Sequence, residues 1–358
     1  MLQTDLTMYR KEFLSMNENS RKKWGLHVCT FVSIMALTFW SVFRNQDLME
    51  MMVSIRRLSM QSVVMAVLLA VLFVAGEGCM IWYLLKGIGE RTGLLRCISY
   101  SFIGFFFSGI TPSATGGQPV RLYYMKKDGN KISSASVVLM AVAVIFKFVL
   151  ALTGTGIILF WREPLREYLK GYYWVYFLGL FLNIAVVLVL VLVMFSPGII
   201  RRIFYKTEKI LIFFKVWKKS DLRMDRMDQF LSEYQETVGF LRSHKKMIIV
   251  TVIGTFLQRG SAFLLTCVVY RGLGLYGTPL SDIILLQASV CIAVDMLPVP
   301  GAQGITEAMY GVVFETVFPA DCLMASVCII RGISFYLVMA VSFTVWGIVH
   351  LKKKSVFQ

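Results

Sequence analysis

Six apolar runs dominate this chain, at about 25–43, 62–85, 133–160, 172–195, 247–270 and 322–349. Each is long enough to cross a hydrocarbon core of ~30 Å as a helix. In lipid every backbone N–H and C=O must find its partner inside the protein, which restricts a chain of this kind to helices or a closed barrel. Unbroken apolar runs without strand-like alternation select helices. Composition agrees: 57% of the 358 residues are hydrophobic and 16% charged, with a mean hydropathy of +0.68, whereas a water-soluble chain carries about 25% charge. The expected fold class is an all-α polytopic membrane protein. Residues 1–24 read as a polar leader ending Arg21-Lys22-Lys23-Trp24. The run from Gly25 to Phe43 lacks a small-residue cleavage pattern and reads as an uncleaved first span. Aromatic residues near several run ends, among them Trp40, Trp82, Trp161, Tyr172, Trp174 and Trp346, fit interfacial belts.

Two stretches interrupt this pattern with proline and glycine. Ile110-Thr-Pro-Ser-Ala-Thr-Gly-Gly-Gln-Pro-Val-Arg121 is the first and Leu297-Pro-Val-Pro-Gly-Ala-Gln-Gly-Ile-Thr-Glu307 the second. Irregular backbone at membrane depth must be buried in protein or line a polar cavity, and broken helices of this kind build substrate sites in carriers. Pro112, Gly116, Gly117 and Pro119 mark the first tip, and Pro298, Pro300, Gly301 and Gly304 the second. The plainer reading, ordinary kinks and packing glycines, accounts less well for two similar breaks in matching places.

Lys and Arg decide how the flanking arms, 94–110 with 119–125 and 281–297 with 305–319, are arranged. If both pairs are re-entrant hairpins and the N-terminus is cytoplasmic, the inner segments hold 27 basic residues and the outer ones 7; if 94–110, 281–297 and 305–319 all cross, the split is 22 to 12. The excess of positive charge on cytoplasmic loops favours hairpins. The order is then span, span, hairpin, span, twice over, with the hairpins entering from opposite faces: about six full spans in an inverted-topology repeat. Spacing agrees. Pro112 to Arg121 and Pro298 to Glu307 are each nine residues, while Glu77 to Lys147 is 70 and Arg259 to Arg331 is 72. The expected organisation is a cytoplasmic leader 1–24, a single transmembrane domain 25–349 and a cytoplasmic tail 350–358. Repeat 1 covers about 25–160, and repeat 2 about 172–349 including a linker at about 196–246.

A charge inside a span costs ~2.5–3.5 kcal/mol on insertion scales and needs a partner or water. Glu77, Lys147, Arg259 and Arg331 lie well inside spans, Asp295 just before the second tip, and Arg121 and Glu307 just after the tips. Gln258 and Gln287 add buried amides. Together the seven charges outline a head-group cavity near the midplane. In it Arg259 and Arg331 bind an anionic group through guanidinium forks, while Glu77, Asp295 and Glu307 receive a cationic part or a coupling proton. The competing structural reading pairs Glu77 with Arg259 and Glu307 with Arg121 merely to hold the repeats together. In the linker, Ile210 to Lys219 followed by Phe230, Leu231, Tyr234, Val238 and Leu241 at helical spacing suggests an interfacial amphipathic helix.

Other chemistry finds little support. The seven cysteines (Cys29, Cys79, Cys97, Cys267, Cys291, Cys322, Cys328) mostly lie inside apolar runs without metal-ligand spacing, and His27, His244 and His350 form no cluster. There is no Walker loop, no Gly-x-Ser-x-Gly elbow and no His-Glu-x-x-His, so neither cofactor nor metal is expected. The net charge of +16 concentrates beside apolar runs, where it orients the protein and attracts anionic lipid head groups rather than nucleic acid.

The patterns Pro112…Gly116-Gly117-Gln118-Pro119-Val120-Arg121 and Pro298-Val-Pro-Gly301-Ala-Gln-Gly304-Ile-Thr-Glu307 resemble the lysylphosphatidylglycerol synthase transmembrane-region family, the flippase-like domain of bacterial multiple peptide resistance factors. The resemblance covers nearly the whole chain. Ala302 departs from it where a glycine is expected. It implies a bacterial plasma-membrane protein, with both termini cytoplasmic, that translocates an aminoacyl-phospholipid such as lysylphosphatidylglycerol and so contributes to resistance to cationic antimicrobial peptides. It also implies phospholipid as partner and a possible homodimer. Full-length relatives carry a cytoplasmic catalytic domain. This sequence reaches Gln358 just after Lys352-Lys353-Lys354, so the expectation is a member without that domain, to which a phosphatidylglycerol lysyltransferase label attaches only through the family name. The alternatives are the membrane portion of a lysyltransferase whose catalytic domain is another chain, and an ion-coupled small-solute carrier.

Overall fold

The computed structural model describes residues 58–111, 114–213, 221–296 and 304–354, together with Val53 and Arg56. The expected first span at 25–43 and four of the tip residues, Pro112, Pro298, Pro300 and Gly301, lie outside the described residues. Among those described the fold is all helical. In chain order the helices are α1 (Met60–Ile88), α2 (Leu94–Gly109), α3 (Gly117–Lys127), α4 (Ile132–Phe160), α5 (Arg162–Leu169), α6 (Tyr173–Phe195), α7 (Pro197–Phe213), α8 (Asp221–Ser243), α9 (Lys245–Gly272), α10 (Leu280–Val294), α11 (Ile305–Val313), α12 (Ala320–Arg331) and α13 (Val338–Lys354).

Five segments, Met60–Ile88, Ile132–Phe160, Arg162–Phe195, Lys245–Gly272 and Ala320–His350, are long and apolar enough to cross a membrane. Their outward faces remain apolar. On α6, Trp174, Phe181, Leu188, Val189 and Leu192 are all exposed, an arrangement that water would not tolerate over so wide a surface but lipid would. Several hydroxyls within the spans return to the carbonyl one turn earlier, as in Thr153 to Val149 and Thr155 to Ala151, and are satisfied within their own helix.

Small residues set the closest crossings. On α1, Ala66, Ala70, Val74, Gly78 and Ile81 form one buried stripe. A Cβ added at Gly78 would stand 2.5 Å from the Ile98 Cα of α2, so the two backbones touch there. Gly179 of α6 meets α10 in the same way, 2.4 Å from the Ile292 carbonyl oxygen. Close backbone approach at small residues is how helices associate in lipid, where no hydrophobic force drives them together. The start of α1 is capped by the Ser59 hydroxyl, which accepts from the Ser62 N–H at 3.2 Å, and its end by Gly89 in the left-handed region.

The two interrupted segments form the expected hairpins. α2 spans about 24 Å and α3 about 16 Å, both short of the ~30 Å core. α3 runs back along α2. Gly117 lies against Ser108 and the Gly104 carbonyl, the Arg121 side chain crosses Gly104, and Tyr100 donates to Asp128. α10 and α11, about 22 Å and 14 Å long, form the second pair. Their bases lie at opposite ends of α4. Its first turn holds Ser133, which donates to Glu233 of α8 at 2.6 Å beside the base of the first hairpin. Its last turn leads into α5 and to Lys170, which pairs with Glu315 at 3.0 Å at the base of the second. A helix of 29 residues separates these ends by about 43 Å. The hairpins therefore enter from opposite sides.

Three expectations need correction. The linker helix α8 does not lay its apolar face on lipid: Leu231, Tyr234, Val238 and Leu241 are buried against Ile81, Leu84, Met125 and Val138. Helical spacing reports an apolar stripe but not what covers it. α7 instead exposes Ile203, Tyr205 and Ile210 beside Arg201, Arg202, Lys206 and Lys209, the composition of a helix at a membrane surface. Arg121, one of the 27 basic residues of the inner segments under the hairpin arrangement, is buried within the bundle, which leaves the charge bias otherwise unaltered. The span at 322–349 is interrupted by a π-helical turn, Gly332–Leu337, directly after Arg331. Its extra residue rotates α13 by about 100° relative to α12.

Gly78→Ala is expected to destabilise the protein by roughly 1–3 kcal/mol, because its methyl group forces α1 off α2. Gly156→Ala, whose added Cβ meets nothing within 4 Å, is expected to be neutral or slightly stabilising. Thermal melts of the two variants in detergent distinguish them.

Candidate functional site: a charged cavity between the hairpins

A cavity of about 380 Å³ opens where the hairpins meet. Phe105 and Ala114 reach it from the first hairpin, Asp295, Met296 and Glu307 from the second, Arg259 from α9 and Arg331 from α12. The remaining wall is largely apolar, with Ala70, Phe73, Leu265 and Ile330 contributing.

The seven predicted charges fall into three pairs with one arginine over. Arg121 grips Glu77 through both terminal nitrogens, at 2.5 and 2.6 Å, a bidentate pair of the strong, charge-assisted kind. It reaches Glu77 because α3 folds back along α2, and α2 is pressed on α1 at Gly78, one residue beyond Glu77. Lys147 of α4 donates to Asp295 at the end of α10. Arg331 donates through Nε to Glu307 Oε1 at 2.8 Å. The pairings expected under the structural reading, Glu77 with Arg259 and Glu307 with Arg121, are not those found. Arg121 pairs within the first repeat and Glu307 within the second, since each hairpin arm packs first on its own repeat's spans.

Arg259 is the arginine left over. Its Nη2 stands 3.8 Å from Asp295 Oδ1, an oxygen of the carboxylate that Lys147 already engages. The guanidinium lies 3.5 Å over the Phe146 ring and 5.8 Å from that of Phe73, a cation–π seat. It is only 7% exposed, and its Nε and Nη2 have no hydrogen-bond partner among the described residues. Glu307 Oε2 is likewise buried without a partner there. Buried donors and acceptors left open are uncommon and call for an explanation.

Of these residues, Arg259, Asp295, Glu307 and Arg331 line the cavity; Lys147 partners the lining residue Asp295, and Glu77 and Arg121 pair with each other outside the lining. Two described tip residues build the turn next to it. The Gly116 N–H donates to Thr111 Oγ1 at 2.9 Å, and Gly117 fits where any Cβ would strike Ser108. Pro119 lies in the first turn of α3, where its missing N–H costs nothing. Gly304 takes φ +78° at the start of α11, a conformation that favours glycine. Gln287 accepts from Thr266 at 3.0 Å, and Gln258 donates to the Phe73 carbonyl at 2.7 Å, tying α9 to α1.

Sequence reasoning missed Phe146, the ring beneath Arg259. Nothing separates it from other aromatics in an apolar run except its place next to Lys147. It also missed Ala114, which holds φ +54° at the cavity edge, strain of about 1–2 kcal/mol for a residue with a Cβ.

The fold and cavity define a polytopic helical membrane protein with two opposed re-entrant hairpins around a charged pocket. The model of the lysylphosphatidylglycerol synthase TM region matches residues 28–342, and the chain belongs to that family. It is also similar to UPF0104 membrane protein PH1989 of Pyrococcus horikoshii, 24% identical over 335 residues that cover 88% of this chain and 94% of the relative.

Glu77→Gln leaves Arg121 buried without its counter-charge and is expected to destabilise the protein by about 3–5 kcal/mol. The double variant Glu77→Gln/Arg121→Gln is expected to lose less than the sum of the two single losses. Thermal unfolding of the three purified variants measures the difference.

Proposed function

We propose that this protein translocates phospholipids, with the cavity between the hairpins receiving the head group while the acyl chains stay in the bilayer. The single observation that carries this reading is Arg259: a buried guanidinium with two open nitrogens, in the wall of a cavity flanked by both hairpins. Intramembrane ionisable groups mark substrate paths by default, and a guanidinium edge matches phosphate oxygens. The volume sits at the lower end of the ~300–1,000 Å³ typical of ligand pockets, which suits a head group. The mixture of a charged pole with an apolar wall matches a molecule polar at one end only. The family's description names lysylphosphatidylglycerol, which makes that lipid, whose export would confer resistance to cationic antimicrobial peptides, one cargo to assay against other phospholipids.

Opposed hairpins supply a route for alternating access, because rocking one repeat against the other exposes a central site to each face in turn. The orientation we propose, in a bacterial plasma membrane, puts α8 and both termini in the cytoplasm and the α5 end outside. A cysteine at Gln229 is then labelled only from the cytoplasm and one at Lys170 only from outside, in a background lacking the native cysteines. Labelling of both from one face contradicts this topology.

In proteoliposomes, Arg259→Gln and Arg331→Gln are expected to slow lipid translocation by about 10- to 100-fold, the loss of a charge-assisted contact. Unaltered rates in both variants would remove this cavity from the transport path.

A further inference from the structure

We infer that the cavity selects a head group of net charge −1, a monoanionic phosphodiester that also offers a neutral hydroxyl, over zwitterionic and cationic head groups. The inference rests on the lipid-translocation reading for the source of that group, and on charge balance for its identity.

Among the described residues, seven charged side chains lie inside the helical bundle away from its ends, each no more than 19% exposed. Four are cations and three are anions. Each carboxylate has a cation of its own, Glu77 with Arg121, Asp295 with Lys147 and Glu307 with Arg331. The surplus is therefore one positive charge, and it falls on Arg259, which cannot shed its proton and has no carboxylate of its own: it shares Asp295 with Lys147, its Nη2 3.8 Å from Oδ1. The tip residues outside the described part, 112–113 and 297–303, contain no Asp or Glu, and neither does the apolar run 25–43. No residue there balances Arg259.

A buried cation that must share its carboxylate with another cation is incompletely compensated, which is costly. A phosphodiester brings one negative charge and two oxygens spaced for a guanidinium edge. With phosphatidylglycerol the bundle and ligand sum to zero. A zwitterionic phosphatidylethanolamine leaves the surplus in place, and lysylphosphatidylglycerol, with two ammonium groups and one phosphate, raises it to two. Glu307 Oε2 supplies the second requirement. It is a buried acceptor without a donor among the described residues, and Glu307 lines the same cavity as Arg259. A hydroxyl satisfies it without adding charge, whereas an ammonium would restore the imbalance that the phosphate had removed.

The test is a competition on the purified full-length protein. It is offered equimolar phosphatidylglycerol, phosphatidylethanolamine and lysylphosphatidylglycerol with identical acyl chains, and retained lipid is counted by native mass spectrometry. Phosphatidylglycerol is expected to exceed each of the others by about tenfold, one charge-assisted contact's worth of discrimination. Arg259→Lys is expected to keep the order and Arg259→Gln to abolish it while still retaining phosphatidylethanolamine, which shows that the variant is folded. Equal retention of the three lipids, lysylphosphatidylglycerol in first place, or a phosphatidylglycerol preference that survives Arg259→Gln overturns the charge assignment. Phosphatidylmethanol, a monoanion without the hydroxyl, is expected to be held less well than phosphatidylglycerol; equal retention overturns the role of Glu307. Deacylated glycerophosphoglycerol is expected not to displace the lipid at equal concentration, and displacement assigns the site to a soluble phosphodiester instead. Liposome translocation separates the two levels. Phosphatidylglycerol preference without translocation leaves the charge assignment standing and overturns the transport reading, while translocation that favours lysylphosphatidylglycerol does the reverse.

Discussion

Everything in the centre of this bundle is organised by the cost of holding charge in a medium without water. An ionised side chain surrounded by hydrocarbon must find a counter-charge or withdraw to an end of its helix. The three buried pairs meet that demand and, in meeting it, fasten the hairpins. Arg121 clamps the arm of the first hairpin to α1 through Glu77, Lys147 ties the tip of the second to α4 through Asp295, and Arg331 joins α11 to α12 through Glu307. Only the Lys147–Asp295 pair crosses between the repeats. It shares that crossing with the hydrogen bond from Gln258 to the Phe73 carbonyl, so both contacts resist any rocking of one repeat against the other.

The same economy explains why Arg259 stands out. Its seat is built with care on every side but one: Phe146 covers a face, Gln258 beside it ties α9 to α1, and Asp295 approaches without completing a hydrogen bond. The Arg259 Nε and Nη2 remain without a hydrogen-bond partner among the described residues, in a residue that lines the cavity. A site prepared for a charge that the protein itself does not supply is well suited to a transient ligand, because the ligand's arrival removes an electrostatic cost rather than adding one. Departure then restores that cost, so binding need not be tight for it to be selective.

Much of this was legible in the sequence. The spans followed from length and hydropathy, and the hairpins from the proline and glycine breaks together with the positions of Lys and Arg. All seven buried charges were visible because an ionisable residue within an apolar run is conspicuous. Their partners were not. Glu77 lies closer in sequence to Arg121 than to Arg259, but which arginine it meets depends on α2 touching α1 at Gly78, a contact between backbones that leaves only one small residue as its trace. The covering of α8 was hidden for a similar reason, since the stripe Leu231, Tyr234, Val238 and Leu241 looks the same whether lipid or protein covers it. The π-helical turn after Arg331 has no sequence signature of its own.

An experimental structure of the protein in nanodiscs rich in phosphatidylglycerol tests the central claim most directly. The account predicts a phosphodiester in the cavity within hydrogen-bond distance of the Arg259 Nε and Nη2 atoms, with its acyl chains leaving between helices toward the bilayer. A cavity filled by an acyl chain, or an Arg259 guanidinium satisfied by a protein carboxylate with no ligand beside it, would contradict it.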